Sequence, residues 1–160
     1  MPSTSNNRSQ PALRRHFTYR LNVLSRLNDL MSQELYQTGC GLSLPESRCL
    51  AAIGSFPDNL TVNEVSFETN LDKAQVSRTV KTLVDRGLVS KRACPVDGRS
   101  VLLTLTPAGQ QRWQQVMPLI DQRNQDLMHC LSEEEKTLLL DMFDRMLDRA
   151  CNQILTARLD

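Results

Sequence analysis

The chain has 160 residues, of which 40% are hydrophobic and 23% charged, and a formal net charge of +1. That length suits one well-packed domain with helical additions, and no run approaches the ~18 consecutive apolar residues of a membrane span. Five cysteines without paired spacing (Cys40, Cys49, Cys94, Cys130, Cys151) argue against a disulfide framework and for a reducing cytoplasm.

Residues 1–10 are rich in Ser and Asn, lack the apolar core of a secretory signal, and are expected to form a flexible arm. The first helix is expected from Pro11 to Thr38, with Leu13, Phe17, Leu21, Leu24, Leu27, Met31 and Leu35 as one stripe and Gly39-Cys40-Gly41 as its stop. A second helix opens at Leu44-Pro45-Glu46, because proline suits a first turn, and closes before Pro57. Thr61-Val62-Asn63-Glu64 is a capping box that opens a short third helix to Asn70. Asp72 caps the fourth, with Gln75 three residues on to complete a second box. In that helix Val76, Val80, Leu83 and Val84 recur at helical spacing, which leaves Gln75, Ser77, Arg78, Thr79 and Lys81 on the outward face. Gly87 stops it.

Two β-favouring runs follow, Leu88–Cys94 and Val101–Leu105, with turn chemistry over Pro95-Val96-Asp97-Gly98-Arg99-Ser100 between them. Thr106-Pro107 launches a fifth helix towards Cys130, which Pro118 should kink or split. A capping box at Ser132–Glu135 opens the last helix, whose stripe is Leu138, Leu139, Met142, Phe143, Met146, Leu147, Ala150 and Ile154. The fold class is therefore mainly α with a small β-hairpin (α+β).

A polar, arginine-bearing helix followed by an arginine-tipped hairpin is what a winged helix-turn-helix presents to DNA. Local charge agrees. Residues 72–99 carry seven basic and three acidic side chains, whereas 107–160 carry six and nine. The candidate DNA contacts are Lys73, Gln75, Ser77, Arg78, Thr79 and Lys81 on the helix, with Lys91, Arg92, Asp97 and Arg99 on the hairpin. The competing readings are a solvated helix face and a turn with incidental charge. The expected division is an arm (1–10), an N-terminal dimerisation helix (11–43), a winged helix-turn-helix (44–106) and C-terminal dimerisation helices (107–160). One small domain cannot cover both flanking stripes, so a second copy of the chain is the expected partner, with Trp113 in the dimer core.

The segment Leu71–Gly109 resembles the MarR-type family of bacterial transcriptional regulators. The similarity rests on the Ser-Arg-x-Val run from Ser77 to Val80, the run Leu83–Val89, Asp97-Gly98-Arg99, and Leu103–Gly109. The chain departs from the pattern at Gly98, where the family often has another charged residue. The resemblance implies a homodimer that represses a catabolic or efflux operon and leaves a palindromic operator when a small aromatic or phenolic carboxylate binds. It also implies that Arg99 enters the minor groove with Asp97 orienting it, and that some relatives respond to cysteine oxidation instead.

For an acidic effector the candidate residues are His16, Tyr19, Arg20 and Arg48, against the alternative of a surface or intersubunit polar cluster. Cys40, flanked by glycines, is expected to be exposed, and Cys49 to lie on an apolar face; structural roles are expected for both. His16 and His129 make no metal spacing with the cysteines, and no cofactor is expected. The sequence lacks a Gly-rich phosphate loop, a nucleophile elbow, HExxH, and a carboxylate pair near a histidine, so an enzyme is not expected. A protein-interaction scaffold of the same fold would need an apolar outward face on the fourth helix, and that face is polar.

Overall fold

A computed structural model describes residues 11–56, 59–93 and 100–156. A 3-10 turn, Ala12–Arg15, precedes helix α1 (Phe17–Cys40). The two are separate because His16 is extended (φ −75°, ψ 136°), so the helix begins six residues later than expected. It also ends later, running through Gly39 to Cys40. Gly41 then takes the left-handed conformation (φ 64°), and its N–H reaches the Gln37 carbonyl at 3.2 Å.

Helix α2 (Leu44–Ser55) is opened by a full capping box: Ser43 accepts from the Glu46 amide, and the Glu46 carboxylate accepts from the Ser43 amide. The Thr61–Glu64 box opens α3 (Val62–Thr69) in the same way. Helix α4 (Lys73–Asp85) follows, then β2 (Val89–Ala93) and β3 (Val101–Leu105). Leu88 falls outside the strand because its N–H still bonds to Leu83 O at 2.9 Å, completing the helix end.

A third strand, β1 (Leu60–Thr61), completes an antiparallel sheet in the order β1-β3-β2, with Leu60 opposite Leu103 and Val89 opposite Leu105. Two residues are too few to show strand alternation, which is why β1 is invisible in the sequence. Helix α5 (Pro107–Met128) runs unbroken through Pro118, and α6 (Glu133–Thr156) follows. Among the described residues, no helix is long and apolar enough to cross a membrane.

The chain forms two compact units that divide at Asp121/Gln122, inside α5. In the first, Leu42, Leu50, Val65, Val76, Val80, Leu83, Leu103 and Val116 are fully buried and join α2, α3, α4, the sheet and the first half of α5. Trp113 belongs here rather than in a dimer core. Its ring lies on Gly54 of α2, where an added Cβ would stand 2.4 Å from Trp113 Cδ1, so glycine is what admits the indole. The α1 stripe stays outside this core: Leu13, Phe17, Leu24, Leu27 and Met31 are all exposed, and the helix instead buries Ser32, Tyr36 and Cys40. In the second unit, Ser132 caps α6 through the Glu135 amide, and Leu138, Leu140, Met142, Met146, Leu147 and Ile154 are exposed.

Candidate nucleic-acid interface

Helix α4 has two faces of opposite character. Val76, Val80 and Leu83 are fully buried, and the Asp72 carboxylate accepts the Gln75 amide at 2.7 Å, one arm of the expected capping box. Opposite them, Lys73, Ser77, Arg78 and Lys81 are exposed, and Gln75 is half-buried at the edge. Thr79 corrects the sequence reading. It is only 8% exposed, because it lies three residues after Val76 and four before Leu83 and so shares their side of the helix. Its side chain is therefore not part of the outward face. Ala74 takes a place on the outward face, three residues before Ser77 and four before Arg78. Its small apolar side chain attracted no notice in the sequence, although such groups can meet a thymine methyl.

Lys81 is held by Asp85 one turn on, Nζ to Oδ2 at 2.8 Å, and this hydrogen bond and the charge behind it raise its pKa. Both side chains lie in solvent, so the pair is easily exchanged for a phosphate. Ser90 and Thr104 share a cross-strand hydrogen bond of 2.7 Å at the base of the hairpin. Beyond it Lys91 and Arg92 are exposed and, as neighbours on a strand, point to opposite faces. Cys94, Asp97 and Arg99 lie outside the described residues.

The C-terminal end of α4 is pinned on two sides. On one, Thr106 Oγ1 donates to Gly87 O at 2.6 Å and accepts the Gly109 amide at 3.0 Å, while the Thr106 amide reaches Leu88 O at 3.1 Å. Gly109 is required there, since a Cβ would fall 1.9 Å from Leu88 O. On the other side Arg86 reaches across to the α1–α2 junction, donating to Glu46 Oε1 at 2.6 Å and to Gly41 O at 3.1 Å. Arg112 of α5 donates to Cys40 O beside it. These arginines and Thr106 are the site-shaping residues that sequence reasoning missed as such. Burial works to raise the pKa of Glu46, but hydrogen bonds from Ser43 and Arg86, with the guanidinium charge, outweigh it and hold the carboxyl below its ordinary value.

The four effector candidates are not gathered in one place. Tyr19 and Arg20 line an open groove of about 720 Å³ on α1 together with Arg14, Val23, Leu24 and Leu27. His16 is exposed at the start of that helix, and its carbonyl accepts the Arg20 amide at 3.3 Å. Arg48 lines a different cavity, of about 430 Å³, with Tyr36, Phe56, Glu68 and Met117 among its walls. Its guanidinium is paired with Asp29.

Cys40 corrects a second expectation: it is 4% exposed, and its Sγ donates to Tyr36 O. Burial and the neighbouring Glu46 push the Cys49 thiol up to about 12, so it carries no thiolate near neutrality. Cys130 and Cys151 are exposed.

The MarR family model matches residues 41–100, from the residue after α1 to the residue before β3. The HTH-type transcriptional regulator YdgJ of Bacillus subtilis is 32% identical over 89 residues, 56% of this chain and about half (54%) of that protein's own length. The HTH-type transcriptional repressor YetL of the same species is 27% identical over 129 residues, covering 80% of this chain and 76% of that one. Among solved structures, the PcaV transcriptional regulator of Streptomyces coelicolor, in complex with its natural ligand, superposes with a TM-score of 0.68 at 26% identity. It covers 89% of this chain and 99% of that one.

Proposed function

We propose that the chain is a DNA-binding transcriptional regulator of the MarR type, acting as a homodimeric repressor released from a palindromic operator by a small aromatic acid. The observation that carries the DNA-reading part is α4. One side of it is locked into the core by Val76, Val80 and Leu83, and the other carries Lys73, Ser77, Arg78 and Lys81 in solvent. A helix so anchored offers Arg78 to a guanine edge in the major groove, with the serine and lysines on bases or phosphates. In this reading Gln75 stands at the rim of the contact, Lys91 and Arg92 extend it along the hairpin, and Arg99 with Asp97 completes it at the tip.

The exposed apolar side chains of α1 and α6 support self-association, because such faces on a protein of this size call for a partner. A two-fold dimer places its two reading helices about one DNA turn, roughly 34 Å, apart. The name of YetL supports repression, and the ligand in the PcaV structure supports effector control.

The α1 groove suits an acidic effector. Arg14 and Arg20 bring positive charge, Tyr19 an aromatic ring, and Val23, Leu24 and Leu27 an apolar wall, with His16 close by in sequence. Arg48 is less suited, since Asp29 already neutralises it and Glu68 lines the same cavity. Burial of Cys40 and Cys49 disfavours the alternative of oxidation sensing at either thiol. The polar α4 face disfavours a protein-interaction scaffold.

Anisotropy titration of operator DNA over a salt series, with and without benzoate, tests this. Arg78→Ala should weaken specific binding by about 1–3 kcal/mol. Benzoate should lower the affinity of the native protein and leave that of Arg20→Ala unchanged. Full affinity in Arg78→Ala would overturn the DNA-reading assignment, and equal benzoate sensitivity in Arg20→Ala would overturn the groove.

A further inference from the structure

The segment Asp85-Arg86-Gly87 closes the C-terminal end of α4, about two helical turns beyond Arg78, and is tied to Glu46, to Gly41 and to Thr106. Arg86 uses two nitrogens on two different elements. Nη1 donates to Glu46 Oε1 at 2.6 Å, and Nη2 donates to Gly41 O at 3.1 Å. Glu46 is equally divided. Its second oxygen, Oε2, accepts the Ser43 amide at 2.8 Å and the Ser43 hydroxyl at 2.7 Å, so the carboxylate that caps α2 also holds the arginine. Arg112, from α5, takes the adjacent carbonyl of Cys40. Two guanidinium groups from α4 and α5 thus meet the negative, carbonyl-bearing end of α1, where a cation is favoured both by charge and by hydrogen bonding.

We propose that Arg86 is a positioning residue for DNA reading: it fixes the angle of α4 against the α1–α2 junction and so sets where Arg78 stands relative to the dimerisation helix. Stability alone is a poor account of it. The Arg86 side chain is 36% exposed, and an ion pair with that access to water adds little to folding. Its geometric leverage is larger. Arg78 lies eight residues back along α4, about 12 Å at 1.5 Å per residue. A rotation of about 10° at the pinned end therefore moves the Arg78 backbone by about 2 Å. Recognition groups need holding within about 0.5 Å. Glu46 shares the role as the anchor, and a lysine at position 86 could reach either Glu46 or Gly41 O but not both, having no planar fork.

This inference rests in part on the homodimer reading, since the spacing of two α4 helices is what the angle would control. The test uses the full chain, duplexes selected from random DNA on the native protein, and copies of the selected site with the half-site separation changed by one base pair either way. Arg86→Ala, Arg86→Lys and Glu46→Gln are compared with Arg78→Ala after each is shown folded by circular dichroism.

Arg86→Ala and Glu46→Gln are expected to lose about tenfold in affinity with an unchanged slope of log affinity against log salt, and to bind the altered spacings nearly as well as the original. Arg86→Lys should fall between these and the native protein. Arg78→Ala should keep the native spacing preference while losing affinity. A fall of about 1 in the salt slope of Arg86→Ala would overturn the proposal by making Arg86 a phosphate contact. Native affinity with native spacing preference in Arg86→Ala would overturn it as well. If the native protein selects single half-sites, the dimer reading fails by itself, and the affinity and salt-slope arms still decide the role of Arg86.

Discussion

The reading head and the first helix spend their apolar residues in opposite ways. In the head, Val76, Val80 and Leu83 of α4 are fully covered by α2, α3 and the sheet, so the core closes within one protomer and the polar face of α4 is what remains outside. In α1, Phe17, Leu24, Leu27 and Met31 are left in solvent, and the residues it buries are the more polar set Ser32, Tyr36 and Cys40. The difference teaches that exposure has two meanings on this chain. On α4 the exposed side chains are charged and hydroxyl-bearing and suit a nucleic acid; on α1 they are aliphatic and suit a second protein surface.

The strongest way to break that comparison is to put charge on α1. The double variant Leu24→Glu, Leu27→Glu is expected to abolish self-association at micromolar concentration while leaving the helical signal intact. Each unpaired carboxylate would cost several kcal/mol if buried in an interface. Sedimentation velocity checks it, and an unchanged sedimentation coefficient would show that this face of α1 meets no partner.

Leu83→Ala sharpens the other side. Leu83 is fully buried within the protomer, so the substitution should lower unfolding free energy by about 2–5 kcal/mol without changing the association constant. Denaturant titration at several protein concentrations separates the two effects.

The smallest effect concerns the junction between the regions. Because the folded pKa of Glu46 is depressed, its contribution is present above the ordinary carboxylate value of 4.5 and is lost as pH falls through the lower folded value. The native protein should therefore lose stability on acidification below pH 4.5 more steeply than Glu46→Gln. Parallel acid-limb profiles for the two proteins would remove the ion pair from the account.

Legibility in the sequence followed the range of the forces involved. The capping boxes at Thr61–Glu64 and Ser132–Glu135 were readable because cap and partner lie three residues apart and need nothing else. The outward residues of α4 were readable, Thr79 excepted, because helical spacing assigns a face. It assigns that face only to within one residue, however, and Thr79 fell on the wrong side of the boundary. The exposure of Cys40 was misjudged from its glycine neighbours, since Gly39 belongs to the helix and only Gly41 ends it. The scatter of the effector candidates, with Arg48 in one cavity and Tyr19 and Arg20 in another, depends on how helices cross and has no local signature.

By itself, then, the sequence determined the helices, the paired strands and the charged outward face of α4, because propensity, capping and periodicity act over a few residues. The tertiary structure decided that Trp113 lies on Gly54, that β1 joins the sheet, and that Arg86 reaches 40 residues back to Glu46. Those contacts arise only when distant segments pack, and a one-dimensional pattern carries no record of which segments will meet.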